Sequence, residues 1–141
     1  MRAALPHLVT RHGASIVTIS SVNAFLPDPS VIDYSAAKGA LTNLCKSLSK
    51  EYGARVRVNT ISPGPVQTDL WLGDDGVAAT VAHANGTSPE AVAQQAAADA
   101  VTGRFTYPQE VADLALFLAS DRADNITGSD FRIEGGLINT L

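Results

Sequence analysis

Apolar and polar positions alternate along this chain in two rhythms. Ser15-Ile16-Val17-Thr18-Ile19-Ser20, entered from Gly13, is a nearly continuous β-branched run. It predicts a strand buried on both faces, as in parallel sheets. Residues 22–33 contain Asn23, Pro27, Asp28, Pro29 and Asp33 and read as a loop. From residue 34 to 52, Ala37, Leu41, Leu44 and Leu48 recur at four-three-four spacing, which predicts a helix with that stripe on the sheet and Gly53 at its C-cap. A second strand over 56–61 is broken by Ser62-Pro63-Gly64-Pro65. Two Ala-rich helices are expected within 69–105, over 77–84 and 89–101, the latter capped by Thr87 or Ser88. A helix over 108–120 carries Val111, Leu114, Ala115 and Leu118 on one side, and a last strand over 130–134 is closed by Gly135-Gly136. The chain opens inside a helical stretch, residues 2–9. Strands alternating with helices argue for an α/β fold with a parallel sheet, its three strands adjacent in chain order and helices on both faces.

Composition narrows the classes. At 141 residues there is room for one modest domain, and 45% hydrophobic with 17% charged residues is the make-up of an ordinary folded chain. A formal charge of -4 with no basic run argues against a nucleic-acid partner. No segment approaches the roughly 20 apolar residues of a membrane helix. The opening MRAALPHLVTRHG is interrupted by Pro6, His7, Arg11 and His12 and does not read as a signal peptide. The single cysteine, Cys45, lies in a helical apolar pattern and reads as packing; one cysteine also fits a reducing, cytoplasmic setting. His7, His12 and His83 show no ligand spacing, so no metal site is expected.

The candidate chemistry gathers where parallel strands end, which is where such sheets bind ligands. Ser20-Ser21 ends the first strand, Tyr34-Ser35-Ala36-Ala37-Lys38 opens the helix, and Pro63-Gly64-Pro65-Val66-Gln67-Thr68 follows the second strand. Spacing of four places Tyr34 and Lys38 one above the other on one helix face. Ser20-Ser21 alone would pass for turn chemistry, and the absence of G-x-S-x-G around it disfavours a hydrolase.

Taken together, Ile19-Ser20-Ser21, Tyr34-x-x-x-Lys38, Val58-Asn59-x-x-x-Pro63-Gly64 and Thr68 resemble the short-chain dehydrogenase/reductase family. Gly103-Arg104-Phe105, Pro108-Gln109-Glu110-Val111-Ala112, Ile126-Thr127-Gly128 and Gly135-Gly136 resemble its closing region, so the likeness spans the chain. The resemblance implies a Rossmann-like doubly wound parallel sheet, here truncated at the N-terminus with three strands retained. It implies an NAD- or NADP-dependent oxidoreductase interconverting a secondary alcohol and a carbonyl. Ser21, thirteen residues before Tyr34, is implied to hold the substrate oxygen, and Tyr34 to be the acid/base. Lys38 would favour the phenolate of a tyrosine whose free pKa is about 10 and bind the cofactor ribose. Pro63, Gly64, Val66 and Thr68 would meet the nicotinamide. Leu70, Trp71 and Leu72 would open a substrate loop over 69–105, as a lid or as core. The strip Ala36, Ala40, Ser47 would pack against the same helix of another subunit, giving a homodimer or homotetramer.

No G-x-G-x-x-G occurs, so residues 1–141 read as a single partial Rossmann-like domain, the catalytic and nicotinamide half without the adenosine half. By itself this half is expected neither to bind NAD or NADP tightly nor to show appreciable activity. The alternative is a non-catalytic remnant or interaction module. An upstream frame encoding a Gly-rich strand-turn-helix would favour the enzyme, and a stop codon directly before Met1 the remnant.

Overall fold

The computed structural model describes residues 1–140. They divide into two compact units: Met1–Ser62 with Ala112–Arg132, and Pro63–Val111 with the chain from Ile133 onward. In chain order the elements are α1 (Leu5–Leu8), β1 (Ala14–Ile19), α2 (Ile32–Tyr52), β2 (Val56–Pro63), α3 (Asp69–Leu72), α4 (Val77–Asn85), α5 (Pro89–Ala98), α6 (Pro108–Ala119) and β3 (Asp130–Ile133). The sheet order is β1-β2-β3. β1 and β2 are parallel, with Ala14 opposite Val56 and Ile19 opposite Ile61. β3 runs the same way, since the rungs climb together from Gly128 N–H on Val58 O (2.7 Å) to Gly64 N–H on Ile133 O (3.0 Å). This is the expected α/β, Rossmann-like arrangement of three parallel strands with flanking helices.

The first unit shows how the sheet acquires its two faces. On one side Cys45, Val56 and Val58 form the core, with Leu8, Val9, Ala14, Ile16, Leu41, Leu48 and Tyr52 packed around them. On the other side Ser15 Oγ and Arg57 Nη1 both donate to the Leu118 carbonyl of α6, at 3.3 and 2.7 Å. Odd and even positions of a strand point to opposite faces, so α2 and α6 cover opposite sides of the sheet. The core stripe of α2 is Leu41-Cys45-Leu48-Tyr52, not the expected Leu41-Leu44-Leu48; Leu44 is 47% exposed and Cys45 1%. Both stripes have helical spacing and differ by about 40° around the axis. Only the sheet underneath distinguishes them. Cys45 is a packing residue, as its pattern suggested.

β1 is half-buried along most of its length instead of buried on both faces, whereas all eight positions of β2 are buried. The physical reason is position: β1 is an edge of the three-stranded sheet and β2 its centre. Boundaries shift for local reasons. α1 starts around Pro6, which has no N–H to lose at a helix start, so residues 2–4 form only a turn. α2 begins at Ile32 after a 3₁₀ turn, Pro29–Val31, whose cap is Asp28 accepting from Ser30 N. Hydrogen bonds from Ser30 hold the Asp28 carboxyl below the usual range. Gly53 follows α2 but stays right-handed, with φ −56°, so it is no left-handed cap. Ser88 is the N-cap of α5, accepting from Ala91 N at 3.2 Å, and that helix ends at Ala98 instead of residue 101.

In the second unit α3, α4 and α5 pack on one another. α4 ends on Gly86 at φ 65°, ψ 34°, the left-handed cap glycine adopts without a Cβ penalty. α6 starts on a carboxylate clamp: Glu110 accepts Tyr107 N–H at 2.7 Å and a two-pronged contact from Arg104 at 2.7 and 2.8 Å. These bonds, Arg104 first, pull the Glu110 carboxyl from 4.5 to about 2. A depressed carboxyl pKa stabilises the fold above its unfolded value and loses that contribution as pH falls through the folded one. Amide protection factors over residues 107–111, taken relative to the intrinsic exchange rate at each pH, should therefore fall as pH drops from 4.5 towards about 2, while the Glu110 carboxyl carbon titrates near 2 in NMR. A midpoint near 4.5 would remove the clamp.

Candidate active site

Three segments lie at or beyond the carboxyl ends of the strands, and each is shaped by its own local packing. In the first unit, Ser20 N–H closes the last rung of β1 on Ile61 O at 2.7 Å. Ser21 follows at φ −162°, ψ 156°; its Oγ accepts from Asn23 N and donates to Asn23 Oδ1, each at 3.2 Å. Ser21 thus caps the 3₁₀ turn Val22–Ala24, which packs on α2.

Tyr34 and Lys38 continue, towards the helix N-terminus, the stripe that further along holds Leu41, Cys45, Leu48 and Tyr52. The sheet-facing side of α2 therefore changes from apolar packing to a phenol and an ammonium at its first two turns. The Tyr34 residue is 43% exposed, and its hydroxyl makes no hydrogen bond among the described residues. Lys38 Nζ stands 5.5 Å from the Tyr34 ring centroid and donates to Ile19 O, the last carbonyl of β1, at 3.1 Å. An ammonium has three donors, and one is used there. Phenol and ammonium share one face, with the ammonium tied to the end of β1 two residues before Ser21.

In the second unit, the turn after β2 is built by backbone. Thr106 N–H donates to Pro65 O and Gln67 N–H to Thr106 O, both 2.9 Å, so Val66 forms an isolated parallel bridge with Thr106. In such a bridge the flanking groups face the partner, and the Val66 N–H points the opposite way. Val66 O accepts from Thr68 Oγ1 at 3.3 Å, and Thr68 precedes α3. Gly64 lacks a Cβ because β3 leaves no room: an added Cβ would lie 2.9 Å from Glu134 Cβ and 3.1 Å from its Cα. The three residues expected as lid divide. Trp71 packs edge-on to Phe105, with centroids 5.4 Å apart and planes at 77°, whereas Leu70 is 72% and Leu72 44% exposed.

Several polar residues that shape the site's support had no assigned role in the sequence. Asn59, fully buried, donates from Nδ2 to Ile126 O at 2.7 Å and accepts Ser129 N–H on Oδ1 at 3.2 Å. Thr127 Oγ1 accepts Val58 N–H at 3.0 Å. Gly128 sits at φ +70°, where a Cβ would lie 2.5 Å from Ser49 Oγ, and Lys46 Nζ donates to its carbonyl at 2.7 Å. The Val58-Asn59 and Ile126-Thr127-Gly128 blocks are thus one structural lock between β2 and the approach to β3. Ser62 Oγ donates to Asp130 Oδ2 at 2.8 Å, while burial pushes the Asp130 carboxyl up. A polar residue at a strand centre was the available signal for Asn59 and Arg57. No trio of histidine, cysteine or acidic side chains among the described residues could hold a metal. No helix of the described residues is long and apolar enough to cross a membrane.

A family model described as enoyl-(acyl carrier protein) reductase matches residues 1–138. The chain belongs to the short-chain dehydrogenase/reductase family. It is 36% identical over 137 residues to 2-(S)-hydroxypropyl-CoM dehydrogenase 3 of Xanthobacter autotrophicus, which covers 96% of this chain and 51% of that protein. It is 32% identical over 135 residues to a 3-oxoacyl-(acyl-carrier-protein) reductase of Thermotoga maritima, covering 95% of this chain and 49% of that one. Among solved structures, L-sorbose reductase of Gluconobacter frateurii, complexed with NADPH and L-sorbose, superposes with a TM-score of 0.85 at 32% identity, over 99% of this chain and 53% of that one. The chain spans about half the length of the curated relatives it matches.

Proposed function

We propose that this chain is the catalytic, nicotinamide-side half of an NAD- or NADP-dependent oxidoreductase that interconverts a secondary alcohol and a carbonyl. The observation that carries this reading is the Lys38 ammonium, 5.5 Å from the Tyr34 ring centroid and hydrogen-bonded to the last carbonyl of β1. When bound, the nicotinamide is the hydride partner of the reaction. As the phenolate, Tyr34 takes the hydroxyl proton of the alcohol and becomes the phenol; in the reverse direction the phenol gives that proton to the carbonyl oxygen and is left as the phenolate. Lys38, cationic and beside the ring, stabilises the phenolate that accepts the proton. Ser21 redirects its proton from Asn23 Oδ1 to the substrate oxygen and orients it.

Each unit by itself carries donors suited to one part of the cofactor. Lys38 has two ammonium protons to spare for ribose hydroxyls, and the Val66 N–H is turned away from its bridge, available to a carboxamide oxygen, with Thr68 beside it. Pro63 and Gly64 set the turn that presents them. The partner is a small alcohol or carbonyl compound. A second copy of the chain is proposed for the exposed side of α2, where Ala36, Ala40, Ser47 and Leu44 lie in the open. A homodimer or homotetramer in a cytoplasmic setting follows from this reading.

Hydride transfer is tested directly with secondary alcohols deuterated at the carbinol carbon, incubated with NAD or NADP and the complete enzyme containing this chain. Deuterium should appear on the recovered cofactor by mass spectrometry. A broad alcohol panel that transfers none, with carbonyl substrates likewise unreduced, would leave the non-catalytic reading in place.

A further inference from the structure

We infer that Ser20 and Thr42 are positioning residues that hold Lys38 for its role, an inference that rests on the function proposed above for Lys38. Lys38 is gripped at both ends by consecutive residues of one chain segment. Its ammonium donates to Ile19 O at 3.1 Å, and its backbone carbonyl accepts from Ser20 Oγ at 3.3 Å. Ser20 Oγ also pairs with Thr42 Oγ1 at 2.8 Å. Each hydroxyl has one proton, so one assignment satisfies both contacts: Thr42 O–H donates to Ser20 Oγ, and Ser20 O–H donates to the Lys38 carbonyl.

Ser20 is well placed for this. It is 4% exposed, and its N–H is spent on Ile61 O, which locks its backbone to β2. Its hydroxyl therefore reports the sheet's position to the helix. The neighbouring hydroxyl of Ser21 turns instead to Asn23, so the two serines divide the work: one faces the helix backbone, the other the open turn. A long lysine side chain has much rotamer freedom to lose on being fixed. Anchoring its main chain one bond from the β1 terminus narrows where the ammonium can reach, and an error of about 1 Å at a reacting group costs on the order of 100-fold in rate.

The test uses the complete enzyme containing this chain and does not depend on catalysis. Lysines are labelled with trace acetic anhydride and the Lys38 to Lys50 ratio is read by mass spectrometry, Lys50 being an exposed internal reference on the same helix. Ser20→Ala should raise relative Lys38 labelling several-fold, as its ammonium leaves Ile19 O. Thr42→Val should do the same, and the double variant should add little to either single change. Ser20→Thr, which keeps a hydroxyl, should restore the wild-type ratio.

An unchanged Lys38 ratio in folded Ser20→Ala and Thr42→Val overturns the inference, and so does full additivity of the two. If Ser20→Ala fails to fold, as judged by circular dichroism, the near-isosteric Thr42→Val decides alone. In the complete enzyme the same two variants should lower kcat by about tenfold with KM for the substrate nearly unchanged, the signature of a misplaced catalytic group. Loss of activity in Tyr34→Phe together with wild-type labelling and kcat in the clamp variants would sink this inference and leave the proposed function standing. Active Tyr34→Phe with altered labelling would do the reverse.

Discussion

Tyr34→Phe should reduce turnover of the complete enzyme by a factor on the order of 10²–10⁴, the usual worth of a positioned acid/base. The substitution removes one oxygen and keeps the ring. Structural consequences should be small, because that hydroxyl makes no hydrogen bond among the described residues and the residue is 43% exposed. The ring remains to meet Lys38 Nζ, which stands 5.5 Å from its centroid. Melting temperature and cofactor affinity should therefore stay close to wild type while kcat collapses. That separation makes the experiment sharp. Near wild-type turnover would take Tyr34 out of the mechanism, and a parallel loss of fold would show that the residue packs more than its exposure suggests.

The largest stability effect is expected far from this chemistry. Arg57→Ala should destabilise the first unit by about 3 kcal/mol, from buried carbonyls left without partners and from the cavity behind them. Arg57 is 6% exposed at the centre of the sheet. Its Nη1 donates to Leu118 O at 2.7 Å and its Nη2 to Ser120 O at 3.1 Å. These are carbonyls at the C-terminal end of α6, where a helix has no N–H of its own to offer and where positive charge is favoured. Arg57 thus acts as a C-cap delivered through the sheet. The buried Nε, which has no partner among the described residues, offsets part of the gain and keeps the figure from being larger. Chemical denaturation of the two chains would measure the difference. A change below about 0.5 kcal/mol, typical of a surface site, would show that water replaces the guanidinium without penalty.

These two residues also separate what was legible in the chain from what was not. The strands, the long helix and the helix before β3 could be read from their patterns, because a β-branched run such as Val56-Arg57-Val58-Asn59-Thr60-Ile61 favours extended backbone and a stripe of period 3.6 gathers on one face of a helix. The pairing of Tyr34 with Lys38 could be read for the same reason: four residues on a helix fix both side chains on one face, whatever surrounds it. The Ser-Ser, Val-Asn and Pro-Gly blocks were legible through their order and spacing.

What the amino acids left open was decided by partners distant in the chain. A helix wheel admits Leu44 or Cys45 as its inward residue, and only contact with Val56 and Val58 selects Cys45. A β-branched run does not reveal how deeply a strand is buried, and β1, at the end of the sheet, is only half-buried along most of its length. The reasons for Gly64 and Gly128 lie in Glu134 and Ser49, the two Nη groups of Arg57 bond carbonyls 61 and 63 residues away, and Asn59 bonds a backbone 67 residues on. Local sequence sets periodicity and the few bonds within a turn; which buried polar group meets which partner depends on three-dimensional closure, because desolvated donors and acceptors must find whatever group the fold brings within about 3 Å.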